Sequence, residues 1–136
     1  MMKKVRFLPI GASMLALGVL LGAVAAHSLE KSISAHYLDV WKTASSYFLY
    51  NGIAFIAVGI FAINLQEKCC TFRGINLAFI GTYIFSVSLW VLALNEMIHP
   101  SLKKLGAITP IGGVLMIVGW FLFAADSYKW LKSNVK

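Results

Sequence analysis

Thr43, Tyr47 and Asn51 recur every fourth residue, so on a helix they share one face, and Thr82 and Ser86 repeat that spacing later in the chain. Hydroxyls and an amide in this pattern supply hydrogen bonds rather than charge. With His27, which closes the first apolar run, these residues form a candidate polar cluster. Its chemistry is that of interhelical hydrogen bonds, which average about 0.6 kcal/mol in measured membrane cycles yet satisfy groups that lipid cannot. A ligand site or polar pathway is the alternative.

Other chemistry-bearing residues are more scattered. His27, His36 and His99 are expected on one side of the membrane with Glu30, Asp39 and Glu96. Imidazole and carboxylate can bind a divalent metal or respond to pH, but no two histidines stand four apart and no H-E-x-x-H occurs, so solvated loop residues are expected and no metal or other cofactor. Cys69 and Cys70 are adjacent and build no long-range disulfide framework. In a reducing compartment they can accept an acyl chain or a soft metal, though free thiols are the plainer reading. Lys103 and Lys104 precede Thr109-Pro110, an anion-friendly corner for which capping and headgroup contact suffice. The chain holds no phosphate-binding G-x-x-x-x-G-K-[ST], no G-x-S-x-G elbow and no C-x-x-C.

The elements that must position these residues are membrane spans. Of 136 residues 60% are hydrophobic and 12% charged, against roughly 25% charged in soluble domains. Four apolar runs, about residues 7–26, 47–65, 75–94 and 108–125, contain no Asp, Glu, Lys or Arg beyond their margins. Each approaches the ~20 helical residues that cross a bilayer. The missing alternation of apolar and polar residues disfavours strands. An ionised group within a span, the usual mark of a proton-coupled exporter, is absent from all four.

The expected fold is therefore an all-α membrane protein, one integral membrane domain over residues 1–136, formed by a four-transmembrane-helix bundle. Between the first two spans, residues 29–46 place Ile33, Tyr37, Val40, Trp41 and Ala44 at helical spacing, which predicts a short amphipathic helix at the interface with Tyr37 and Trp41 at headgroup depth. Gly11, Leu15, Gly18, Gly22 and Ala26 make a packing seam on the first helix, and Gly112, Met116 and Gly119 another on the fourth. Thr109 suits an N-cap and Pro110 the first helical position. Trp120 reads as packing within its span and Trp130, between Lys129 and Lys132, as an interfacial anchor.

Charge sets the orientation. With the N-terminus inside, the short inner flanks carry Lys3, Lys4, Arg6, Lys68, Arg73, Lys129, Lys132 and Lys136, and the outer flanks Lys31, Lys42, Lys103 and Lys104. Both termini are thus expected in the cytoplasm of a multi-pass protein of the cell (inner) membrane. The net charge of +7 flanks apolar runs instead of forming a patch, so the lipid bilayer, and not nucleic acid, is the expected partner, with a membrane protein or a second copy of the chain beside it. A cleaved signal peptide is the rival reading of the first run, given Ala23-Val24-Ala25; the glycine seam favours a retained helix.

Several stretches carry a family likeness: residues 22–29 (GAVAAHSL), 41–47 (WKTASSY), 85–89 (FSVSL) and 108–113 (ITPIGG), followed by Gly119-Trp120. In these the chain resembles the domain-of-unknown-function 423 family of small bacterial inner-membrane proteins, itself similar to the eukaryotic transmembrane protein 256. The resemblance implies four transmembrane helices and carries no activity with it. The family pattern has Gly where Ala25 stands, His where Asn51 stands and Gly where Val87 stands. An amide at position 51 keeps a hydrogen bond but not the acid–base chemistry of imidazole.

Together these features point to a non-enzymatic accessory, assembly or lipid-associated membrane component, with binding or transport of a small neutral or lipophilic molecule by the polar cluster as the alternative. Topology reporters fused after Lys136 and within residues 67–73 should both register the cytoplasm; an external signal at either reverses the orientation.

Overall fold

The computed structural model describes residues 6–64 and 73–134, so Cys69 and Cys70 lie outside the described residues. Helix α1 runs Phe7–Val24 and passes into a π-helical turn, Ala25–Leu29. Helix α2 runs Ala35–Asn64 and α3 Arg73–Ala93. Two 3₁₀ segments, Leu94–Glu96 and Pro100–Ala107, lead to α4, Thr109–Asn134. All four long helices have the length and apolarity to cross a membrane. The most extensive pairings join α3 to α4 and α1 to α2, and α2 and α3 join the two hairpins.

Glycine spacing explains this pairing. Gly11 and Gly18, Gly52 and Gly59, Gly74 and Gly81, and Gly112 and Gly119 each stand seven residues apart, one pair per helix. Seven residues are two turns, so both members of a pair face the same neighbour. In the α3–α4 hairpin a methyl group on Gly119 would lie 2.3 Å from the Ala78 nitrogen, and one on Gly81 2.4 Å from the Met116 nitrogen. Gly74 approaches the Gly119 carbonyl, while Gly81 and Gly112 approach each other's, an arrangement suited to Cα–H···O contacts. Between α1 and α2 the same role falls to Gly11, where a methyl would meet the Gly52 carbonyl oxygen at 2.5 Å, and to Gly59 against Leu8.

The seam on α1 departs from expectation at its far end. Gly18 packs on Leu49, but a methyl on Gly22 would meet nothing within 4 Å, and Ala26 is exposed. The buried positions are Phe7, Gly11, Met14, Gly18, Ala25 and Leu29. That series keeps a seven-residue period beyond Gly18 and so brings Ala25 inward, whereas the expected steps of four drift off the contact face.

Residues 35–46, expected within a separate interfacial helix, are the first three turns of α2. No Gly or Pro separates Trp41 from Tyr47, so nothing interrupts the helix. Its inner face also has a partner: Leu38 and Trp41 are buried with Ala25, Leu29, Ile33 and Ala93, and Trp90 and Leu94 pack against them. Trp41 is therefore buried between helices, a core residue of this end of the bundle. At 1.5 Å per residue α2 is about 45 Å long, more than the ~30 Å of hydrocarbon, which leaves several turns for the interface or for tilt.

The N-terminus of α2 is tied across the bundle. Ser34 donates its N–H (2.8 Å) and its hydroxyl (3.1 Å) to the two carboxylate oxygens of Glu96, just past α3. This anion at a helix start satisfies an otherwise orphan donor and closes the end of the bundle away from Arg6.

Gly119→Ala should destabilise the protein by about 1–3 kcal/mol through overpacking against Ala78. Gly22→Ala should be neutral or stabilise by about 0.5–1 kcal/mol, since a methyl there meets only open space. Unfolding in mixed micelles titrated with denaturing detergent measures both, and equal effects would remove the close-approach account.

Candidate functional site

Hydrogen bonds between helices centre on three tryptophans. Trp120 on α4 donates its indole N–H to Asn51 Oδ1 at 2.9 Å, and Asn51 in turn donates to the Tyr47 carbonyl (2.9 Å) and to Met116 Sδ (3.3 Å). Asn51 is only 6% exposed, and Phe55 stacks on Trp120 at 5.7 Å between centroids. Trp90 on α3 donates to Ser45 Oγ at 3.1 Å, and that hydroxyl donates to the Trp41 carbonyl. Trp41 itself donates to the Leu21 carbonyl on α1 at 2.8 Å. Each indole thus carries the one polar atom it must satisfy to a neighbouring helix.

The six residues expected to form a polar cluster are placed differently from one another. Asn51 and Ser86 are buried and bridge helices, Ser86 Oγ donating to the Ala44 carbonyl at 3.1 Å. Thr82 is buried but turns its hydroxyl back to the Ala78 carbonyl of its own helix at 2.8 Å. Thr43 is exposed and does the same with Asp39. The Tyr47 ring, 41% exposed, packs on Phe85 with centroids 5.0 Å apart. His27 is exposed in the π-helical turn, whose widened register shows as the Glu30 N–H reaching the Ala25 carbonyl at 3.2 Å. Asn51 and Ser86 therefore serve separate interhelical bonds, while Thr43 and His27 stand on the surface.

Sequence reasoning missed Ser45, Trp90 and the bonding role of Trp41. The signal lay in their spacing: Trp41, Ala44, Ser45 and Phe48 fall at steps of three and four, and all four are buried. Thr109, expected as an N-cap, is the first residue of α4, and its hydroxyl lies 2.8 Å from Ser88 Oγ, joining α4 to α3. Pro110 follows as the second helical residue. One-residue offsets of this kind are ordinary at helix ends.

His36 and His99 are exposed, His36 edge-on to Tyr37 and His99 bonded through Nδ1 to Ser101. Among the described residues no three of His, Cys, Asp and Glu come together to hold a metal ion. Lys103 and Lys104 are exposed on the second 3₁₀ segment. Between α2 and α4 a crevice of about 270 Å³ opens beside Tyr47, Tyr50, Asn51, Met116 and Trp120. A second of about 300 Å³ lies further along the same pair of helices, against Val58, Phe61 and Phe123.

Fold and site together define a multi-span α-helical membrane protein whose buried polar atoms serve mainly to join helices. The family model described as "Protein of unknown function (DUF423)" matches residues 21–113. A membrane protein of the UPF0382 group from Staphylococcus saprophyticus is 40% identical over 129 residues, covering 90% of this chain and 97% of its own length. Relatives with the same description from Staphylococcus aureus (38% identical, 91% and 96% covered) and Staphylococcus haemolyticus (36%, 92% and 97%) match likewise. The chain belongs to this DUF423/UPF0382 family of membrane proteins. No solved structure matches it.

Asn51→Leu should leave the Trp120 indole without its acceptor, and a double-mutant cycle with Trp120→Phe should return a coupling of about 0.6–1.7 kcal/mol. Asn51→His, which restores an acceptor or donor nitrogen, should recover part of the loss. A coupling of zero in detergent-titrated unfolding would show that the bond does not join the helices.

Proposed function

We propose that the protein is a non-enzymatic accessory, assembly or lipid-associated component of the cell membrane, one domain over residues 1–136 with both termini in the cytoplasm. The observation that carries this reading is the use of its polar residues: Asn51, Ser45 and Ser86 bond to Trp120, Trp90 and Ala44, and no reactive set is left among them. What the molecule offers outward is apolar helix surface, with Phe121 of α4 73% exposed and Val114 59% exposed. Such a protein acts by contact, through van der Waals packing with another span or with lipid. The first turns of α2 lie at headgroup level in this reading, since α2 is longer than the hydrocarbon is thick.

A second reading, binding of a small neutral or lipophilic molecule, is favoured by the crevice between α2 and α4, where Tyr47, Asn51 and Trp120 supply a polar edge to an apolar wall. The two separate in one experiment. A photo-crosslinker at Phe121, activated in intact membranes, should give a discrete adduct with another membrane protein or a second copy of the chain. Adducts with bulk lipid alone would remove the assembly role. A small molecule retained in stoichiometric amount by the purified chain and lost in Asn51→Leu would favour the second reading.

A further inference from the structure

The bundle end at which α1 and α3 begin holds a slot that the interhelical bonds do not use. Arg6 stands at its mouth, hydrogen-bonded to Asn76 Oδ1, with its guanidinium carbon 5.2 Å from the centre of the Phe7 ring. Behind them is a cavity of about 290 Å³, lined by Arg6, Phe7, Ile10, Asn76, Phe79 and Ile80. Phe7 is buried and set edge-on to Phe79 at 6.3 Å, so the inner wall is packed. Ile80 is 49% exposed, so the slot opens sideways from the bundle.

The layering matches an amphiphile. A cation and an amide form the top, and beneath them the walls, Phe7, Ile10, Phe79 and Ile80, are wholly apolar. One guanidinium N–H is engaged by Asn76, which holds the group in place, and its other N–H groups and the Asn76 amide N–H₂ remain as donors. Charge at this end favours an anion: among the described residues Arg6, Arg73, Lys129 and Lys132 stand there against Asp126 alone, and Asp126 does not line the slot. The opposite end sets Lys31, Lys42, Lys103 and Lys104 against Glu30, Asp39 and Glu96.

We propose that this slot binds an anionic phospholipid, its phosphate at Arg6 and Asn76 and the first segment of one acyl chain between Ile10, Phe79 and Ile80. Guanidinium pairs with phosphate oxygens through parallel N–H donors, and basic pockets between transmembrane helices hold anionic headgroups in this way. The apolar walls require the chain as well as the head, so a free phosphate is not the ligand. The inference deepens the lipid-associated part of the proposed function and rests on its membrane placement, but needs no protein partner.

The test is native mass spectrometry of the full chain in mild detergent with equimolar phosphatidylglycerol and phosphatidylcholine. Phosphatidylglycerol should be retained several-fold over phosphatidylcholine, and Arg6→Gln, with helical circular dichroism unchanged, should bring the two to parity. Arg73→Gln, which removes a neighbouring charge outside the slot, should keep the preference. Ile80→Trp, which fills the slot and spares Arg6, should also abolish it, and carries the test should Arg6→Gln fail to fold. Parity in the unmodified chain, a preference that survives Arg6→Gln, equal loss in Arg73→Gln, or displacement by soluble glycerol 3-phosphate would each overturn the proposal. A chain that selects phosphatidylglycerol yet forms no protein adduct at Phe121 keeps this inference and loses the assembly role.

Discussion

Close backbone approach at paired glycines is the constraint on which the rest of this structure depends. Lipid tails are as apolar as leucine, so burial from water does not hold the spans against one another; contact area and interhelical polar bonds do. Each helix carries two glycines two turns apart, and each hairpin uses them to bring backbones within van der Waals range. At Gly119 and Gly81 the neighbour is backbone rather than a flexible side chain, so there is no soft atom to move aside.

The polar bonds follow from that approach. Trp120 reaches Asn51, and Trp90 reaches Ser45, because the helices that carry them are drawn together elsewhere by small residues. Large aromatic rings then fill what the glycines leave open: Phe7, Phe48, Phe55, Phe79, Trp90 and Trp120 form one connected set of ring contacts and core neighbours. Small residues at the contacts and large ones between them give two hairpins, α1–α2 and α3–α4, joined by α2 against α3. What this packing leaves at the rim is an exposed apolar face on α4 and a basic end where a cavity opens beside Arg6.

Much of this was legible in the chain. The four apolar runs, free of charge, announce four spans because an ionised group in hydrocarbon is costly. Gly11, Gly18, Gly112 and Gly119 were readable as contact residues from their spacing. The matching pairs on the second and third helices, Gly52 with Gly59 and Gly74 with Gly81, obey the same two-turn rule. The polar cluster was harder to read, because helical spacing says which residues share a face but not which helix that face meets. Thr43 and Thr82 satisfy their hydroxyls on their own backbones, an option always open to threonine in a helix and invisible in its position.

By itself the sequence determines the number of spans, their approximate limits and the residues small enough for close contact, since these depend on local composition and on two-turn spacing. The partners of Tyr47, Asn51 and Ser86 on neighbouring helices were decided only by the tertiary structure. So was the inward turn of Ala25 in place of Ala26. Each of these turns on how two helices cross and in what register. That is a property of surfaces meeting across forty to seventy residues of chain, as between Asn51 and Trp120 or Ser86 and Ala44, and no local pattern encodes it.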